Sequence, residues 1–502
     1  MTVDESPRTR PAAALIALVL ASAVVLLGTT ILNVALPEMT SSLHLSNTAQ
    51  QWVLNSYTLT FAGFLLLAGA VGDRFGLRKT LIVGLVGFAL TSALASLPLK
   101  VGFIIAMRAL MGVFAAAILP TTLAIILRTF PPERRASAVA VWAAASGVAI
   151  SAGPLIGGAL LSAGLWWGSV LVVIAVMAVI ALPIALVGVP QLPAYAGSRL
   201  RVVPVLASVC GIALVVWGVL NGGEDGRWLS ASTLAPLVAG VVVLAGLVVT
   251  ELRSANPVAD VRLFRRLEFT IPVIALGLGS FVVFGYMYFT TFYLQVEHGY
   301  TPFQTGLIFI PLSVGLVLGS PLSRTLVTRM GARAVMATGL FLTALAMAGL
   351  FLVNGHSSVI RFLADLFMLA FGFALVLSPG TTLAMSAVPP ERVGSGSALL
   401  NTMRQLASAL GVAILGSILW SSYRGTVLPD LDVLPDATRE TAAQSLSNTL
   451  AAASGDAEII TAAKAAFDAA LHLTSSISAG LAILAAIAVL AVRPGRPREE
   501  LR

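Results

Sequence analysis

The chain has 502 residues, of which 58% are hydrophobic and 10% charged, and its formal net charge is +8. Soluble domains carry roughly 45–50% apolar and about 25% charged residues, so this composition excludes a water-soluble globule and leaves a protein that crosses a membrane many times. A single cysteine, Cys210, excludes a disulfide framework, and the basic surplus sits between apolar runs and not on a soluble face, which excludes a nucleic-acid partner.

A bilayer-crossing helix needs about 20 mainly apolar residues. In chain order the apolar runs predict spans at 12–36, 50–70, 80–97, 101–127, 137–161, 165–188 and 202–220, then 231–250, 269–293, 304–323, 334–353, 359–386, 397–420 and 471–491, fourteen in all. The first run follows Arg8 and Arg10 and is too long for the apolar region of a cleaved leader, so it is read as a retained span. With both termini in the cytoplasm, most of the 30 Lys and Arg fall inside and six lie outside, whereas carboxylates show no bias. This is the positive-inside pattern. Trp52, Trp166, Trp167, Trp217, Trp228 and Trp420 then fall at or near outer span ends, where interfacial anchoring places them. The outer loop 421–470 contains the Ala-rich "TLAAASGDAEIITAAKAAFDAA", readable as one or two short surface helices or as a solvated linker.

A spelling repeat fixes the domain organisation. PPER occurs at 131–134 and at 389–392, each time after a TTLA (121–124 and 381–384), with Gly112 and Gly372 each nine residues before the first Thr. The copies follow spans 4 and 12, an offset of eight, so two six-helix bundles with two inserted central helices are expected. The boundaries are 1–190, 191–268 and 269–502, the last carrying the outer loop. Duplicated bundles around a central site are a recurring transporter design.

Between spans 2 and 3 stands "GAVGDRFGLRK", Gly69 to Lys79, a tight turn with a carboxylate among basic residues. It resembles the loop signature of the major facilitator superfamily, with Leu77 where that family commonly has a basic residue. The resemblance implies a conformational latch built from Gly69, Asp73, Arg74, Gly76, Arg78 and Lys79. Span 5 ends in "GVAISAGPLIGG" (147–158), which is similar to the antiporter signature of drug exporters and implies roles for Gly153, Pro154, Gly157 and Gly158. Span 4 contributes "MRALMG", whose Arg108 is an intramembrane charge costing at least ~2.5–3.5 kcal/mol on insertion scales. The resemblance gives it a part in proton coupling. Further matches are "NVALP" (33–37), "QWVLNSY" (51–57), "FYLQVEHGYTPFQTGLIFIP" (292–311) and "NTMRQLASALGVAI" (401–414). Together they resemble the fourteen-helix drug:proton antiporter branch. The fold implied is an all-α major facilitator fold of the bacterial cytoplasmic membrane. The activity implied is export of amphipathic drugs or antibiotics by proton antiport, by a monomer without metal or other cofactor. Three lysines against 27 arginines also suit a GC-rich bacterial genome.

The chain departs from that branch at one position. "LGTTILNVALP" places Gly28 where the branch commonly carries an intramembrane aspartate, which favours neutral or anionic substrates over dications. Among all 22 acidic residues, only Asp365 falls within a predicted span. It lies one helical turn from Arg361, so it is read either as an ion-pair partner or as a titrating group in coupling. Thr30, Asn33, Asn55, Tyr57, Tyr288, Phe289, Phe292 and Tyr293 are candidate cavity residues, or alternatively helix-packing contacts. Two other functions remain open: an uncoupled facilitator or importer of a metabolite or lipid-like molecule, and a membrane-embedded enzyme. The enzyme is disfavoured by scattered histidines and the lack of an HExxH, a P-loop or paired intramembrane carboxylates.

Overall fold

The computed structural model describes residues 11–192, 201–225, 228–254, 257, 260–352, 359–388, 393–453 and 456–491. Arg8, Arg10, His356, the second PPER and Arg392 lie outside the described residues. Within them the chain is helical, with no strand. Inside a bilayer each backbone N–H and C=O must be satisfied within its own segment, and long apolar runs therefore become helices.

The first six helices are α1 (Pro11–Leu43), α2 (Asn47–Phe75), α3 (Leu77–Ala95), α4 (Val101–Thr129), α5 (Pro132–Ser162) and α6 (Ser169–Gly188). Two more follow, α7 (Val202–Asp225) and α8 (Ala231–Arg253). Next come α9 (Leu267–Phe292), prolonged by a π-helical turn over Tyr293–Glu297, then α10 (Pro302–Ile308), α11 (Ile310–Met330) and α12 (Ala332–Gly349). The chain ends with α13 (Val359–Ser386), α14 (Val393–Val427), α15 (Asp436–Ala442), α16 (Leu446–Ala452) and α17 (Ala457–Ala491). Twelve helical stretches among the described residues are long and apolar enough to cross a membrane, with α10 and α11 forming one of them. Helices α2 and α5, 29 and 31 residues long, cover the expected second and fifth spans.

Local chemistry sets the ends. Ser46 caps α2 by accepting from the Ala49 N–H at 3.2 Å. Thr301 and Gln304 form a reciprocal capping box with Pro302 at the first turn of α10. Gly76, at φ 94°, turns the chain from α2 into α3 in a conformation that disfavours a side chain, and its N–H bonds the Gly72 carbonyl.

Helix α1 lies on α5 and α6, α2 on α4, and α3 on α4 and α6; α13 packs on α9, α11 and α12, while α14 and α12 both contact α17. Helix α7 pairs with α8 and also touches α2 and α14. The stretch after α14 differs from a solvated linker. Helices α15 and α16 fold onto the ends of the bundles, with Ala443, Leu446 and Thr449 fully buried and Tyr423 of α14 hydrogen-bonded to Thr449 at 2.6 Å. Helix α17 begins at Ala457, well before the expected 471, because an Ala-rich segment propagates a helix beyond the apolar boundary. The face bearing α15 and α16 is called the cap end below, and the face with the Arg-rich turns the basic end. Trp420 and Trp167, expected as interfacial anchors, are instead buried, at 2% and 3% exposure. Trp420 has a polar partner inside the protein and needs no headgroup.

Candidate functional site

Arg108 is 1% exposed, two turns into α4. Its Nε donates to the Val53 carbonyl of α2 at 3.1 Å and its Nη1 to the Gly28 carbonyl of α1 at 3.2 Å. The guanidinium lies over the Tyr57 ring, 4.5 Å from its centroid, and Tyr57 in turn donates to the Val25 carbonyl at 2.7 Å. One charged fork thus ties three helices through backbone dipoles and a ring face. Among the described residues none of these partners is a carboxylate. Position 28 explains why: a Cβ there would stand 3.3 Å from both the Tyr57 hydroxyl and Phe88 Cζ, so glycine leaves just enough room for the ring that stacks on Arg108.

The remaining α1 and α2 candidates gather around this node. Thr30 donates to the Ile150 carbonyl of α5 at 2.8 Å and is fully buried. Asn33 and Asn55 are buried at 5% and 1% exposure, and the Asn55 side-chain nitrogen has no hydrogen-bond partner. Gly153 of α5 abuts Thr30 and the Ile31 N–H, where a Cβ would overlap the threonine hydroxyl; Gly157 meets the Ile31 carbonyl, at 3.0 Å from its would-be Cβ. Gly158 faces α10 instead, against the Pro302 carbonyl, and Gly306 of α10 faces the Pro154 carbonyl. The Gly153-Pro154-x-x-Gly157-Gly158 segment therefore seats α5 simultaneously on α1 and on the α10 entrance.

Polar contacts close the cap end between the two groups of helices. Gln295 donates to the Val34 carbonyl at 3.0 Å, the Phe303 N–H to Ser162 at 3.0 Å, and Asn47 to the Gln444 carbonyl. The Gln51 amide, oriented to donate, reaches the Val412 and Ala413 carbonyls at 3.0 and 3.1 Å. Trp420 donates to the Tyr288 hydroxyl at 3.0 Å, and Tyr288 to Gln50 at 3.3 Å. The four α9-side aromatics, Tyr288, Phe289, Phe292 and Tyr293, are all buried to 1% or less. Phe292 stacks edge-on against Trp420 at 5.5 Å, and Tyr293 lies against Phe362 at 5.1 Å and Phe467 at 6.4 Å. In this conformation they form a packed cluster.

At the basic end, the latch segment spans the end of α2 and the start of α3. Arg78 donates to the Leu186 carbonyl near the end of α6, which suits a cation at a helix C-terminus. Arg74 lies 5.7 Å from the Phe75 ring centroid, and Lys79 is exposed. The backbone of Gly69 and Asp73 belongs to α2, while the Asp73 side chain lies outside the described residues.

Asp365, in α13, is 5% exposed with its Oδ2 unpartnered, within electrostatic reach of Arg361 and Tyr286. Glu297 and Asp468 also fall inside long apolar helices, as do other acids nearer helix ends, buried Glu251 of α8 among them, contrary to the expectation that Asp365 stands alone there. Glu297 is 3% exposed at the end of the π-helical turn, and Asp468 is half-buried on α17. Apolar-run counting missed both because each lies on a helical extension past the apolar stretch. No cluster of His, Cys, Asp and Glu suited to a metal ion occurs among the described residues.

Residues 18–412 match the Major Facilitator Superfamily, which spans well over half the chain. The chain belongs to the major facilitator superfamily. It is 33% identical over 430 residues to the tetracenomycin C resistance and export protein of Streptomyces glaucescens, covering 84% of this chain and 78% of that protein. It is 30% identical over 493 residues to the multidrug efflux pump LfrA of Mycolicibacterium smegmatis, covering 96% of both. The fold is similar to that of a bacterial homologue of the human lysosomal transporter Spinster in an inward-facing, occupied conformation, at TM-score 0.66, 17% identity and 95% coverage of both chains. The protein is thus a multi-pass membrane protein with a major facilitator fold.

Proposed function

We propose that this superfamily member exports amphipathic drugs or antibiotics across a bacterial cytoplasmic membrane in exchange for protons, by alternating access of two six-helix bundles. The bundles are residues 1–190 and 269–502, with 191–268 supplying two inserted helices, fourteen spans in all, a monomer with both termini cytoplasmic. Relatives named for antibiotic resistance, export and multidrug efflux support the transport direction and substrate class. The observation that carries the reading is Arg108: a buried guanidinium held by two carbonyls and a ring, at the crossing of α1, α2 and α4, is an intramembrane charge whose insertion cost points to a functional role. Arg108 and Asp365 are the coupling candidates, and the Gly69–Lys79 turn the latch. Gly153, Pro154, Gly157 and Gly158 are the hinge between bundles.

The absent carboxylate at Gly28 and the uncompensated Arg108 favour neutral or anionic substrates over dications. Tyr57, Asn55, Asn33 and Thr30 line the pathway on one side, and Tyr288, Phe289, Phe292 and Tyr293 on the other once the cap end opens. We read the chain as a transporter and not as an enzyme. The test is efflux of Nile red, a neutral amphipathic dye, from cells expressing the protein, with and without a protonophore. Protonophore-sensitive efflux against a gradient is expected; uphill efflux that persists without a proton gradient overturns the antiport.

A further inference from the structure

Around the π-helical turn Tyr293–Glu297 lies a string of buried polar atoms without partners. Both Glu297 carboxylate oxygens, one Asp468 oxygen, the Tyr293 hydroxyl and His298 Nε2 accept or donate no hydrogen bond. Glu297 and Tyr293 are buried to 3% and 0% exposure. The Glu297 and Asp468 carboxyl groups stand within hydrogen-bonding reach of each other across α9 and α17. Two carboxylates present only acceptors and repel, so that approach in a buried place demands a donor, and the smallest is one proton held between them.

We propose that Glu297 and Asp468 share one proton and form the proton-loading site of the transport cycle at the cap end, the role that Gly28 leaves vacant on α1. The inference rests on the antiport reading above. Half-buried Asp468 takes a proton from water at the cap end, hydronium becoming water, and the new O–H donates to the Glu297 carboxylate. Passing the proton inward makes Glu297 the acid and returns Asp468 to an anion, ready for the next. The surroundings fit one proton and one negative charge. Lys464 is anchored beside the pair by its donation to the Glu297 carbonyl at 2.8 Å, and His472 faces Asp468 from one turn along α17. From the turn and the residues just after it come Tyr293, His298 and Tyr300, with the Tyr293 and His298 rings 4.5 Å apart. Neighbouring α10 and α16 contribute no ionisable side chain. Tyr293 also lies within electrostatic reach of Tyr286, and Tyr286 within reach of Asp365 on α13. π-Helical turns recur at functional sites because they aim side chains that a regular helix disperses.

Infrared difference spectroscopy of the reconstituted full-length protein on acidification reads the site without any substrate. A carboxylic C=O band is expected in the wild type, lost in Glu297→Gln and displaced in Asp468→Asn. In everted vesicles both variants should lose pH-gradient-driven Nile red accumulation yet retain Nile red exchange without a gradient. A wild-type spectrum with no such band, or one unchanged in both variants, overturns the proposal. Gradient-driven uptake kept by both variants overturns it too, while leaving export intact. If the wild type moves no Nile red, the export reading fails and the infrared result still decides the carboxyl pair. Should Glu297→Gln fail to fold, Asp468→Asn and the exchanged pair Glu297→Asp/Asp468→Glu carry the test, the exchanged pair being expected to keep the band.

Discussion

Replacing Arg108 by Ala or Lys separates two functions of one side chain. Ala forfeits two hydrogen bonds from a charged donor, about 1.5–3 kcal/mol each, and a desolvated cation–π contact of about 2 kcal/mol. It also relieves the insertion cost of a buried charge, at least ~2.5–3.5 kcal/mol. The balance is a loss of about 2–5 kcal/mol, small enough for a helical bundle of this size to fold. Lys keeps the charge, yet an ammonium is a point donor and cannot reach the Val53 and Gly28 carbonyls while lying over Tyr57. Both variants are therefore expected to assemble with lowered thermal stability in detergent, measured by fluorescence-detected size exclusion, and both should lose proton-driven Nile red uptake in everted vesicles. Gradient-driven uptake at the wild-type rate in Arg108→Lys would refute the reasoning, since charge alone would then suffice and the three-helix fork would be incidental.

Other predictions test the neighbouring features. Gly28→Asp places a carboxylate where a Cβ stands 3.3 Å from Tyr57 and Phe88, a fit needing shifts of only a few tenths of an ångström; it should confer efflux of a dication such as methyl viologen, and unchanged cell tolerance counts against it. Gly158→Val drives a side chain into the Pro302 carbonyl and should hold the cap end open. In a Cys210→Ser background, a cysteine at Thr30 would then react with an impermeant maleimide from outside, and continued protection argues otherwise. Trp420→Phe removes the donor to Tyr288 and should cost about 1–3 kcal/mol, read as a lower unfolding temperature; an unshifted transition removes the structural role of that bond.

Much of the architecture is legible in residue order because lipid leaves the backbone few options: an apolar run from Ala12 or Ser169 has to become a helix. Glycine spacing was equally informative, since Gly153, Gly157 and Gly158 each face a neighbouring helix too closely for a side chain. What remained hidden depends on partners distant in sequence. Trp420 sits at a span end and looks like an anchor until Tyr288, from α9, appears beside its ring nitrogen. Glu297 and Asp468 looked like loop residues because hydropathy ends where lipid ends, whereas helix propensity in an alanine-rich stretch does not. That Arg108 rests on carbonyls and a ring, and not on an acid, is a fact of three helices meeting.

The closed cap end has an energetic consequence. It is held by side-chain amides, a serine, an indole and a tyrosine meeting carbonyls and hydroxyls, with no ion pair among the contacts described. Neutral hydrogen bonds of this kind contribute about 0.5–1.5 kcal/mol each, and one positive charge moved through ~100 mV delivers ~2.3 kcal/mol. In the proposed antiport, the seal and the driving force are thus of one order of magnitude, so that the entry of a proton can offset a substantial part of what holds the cap end shut.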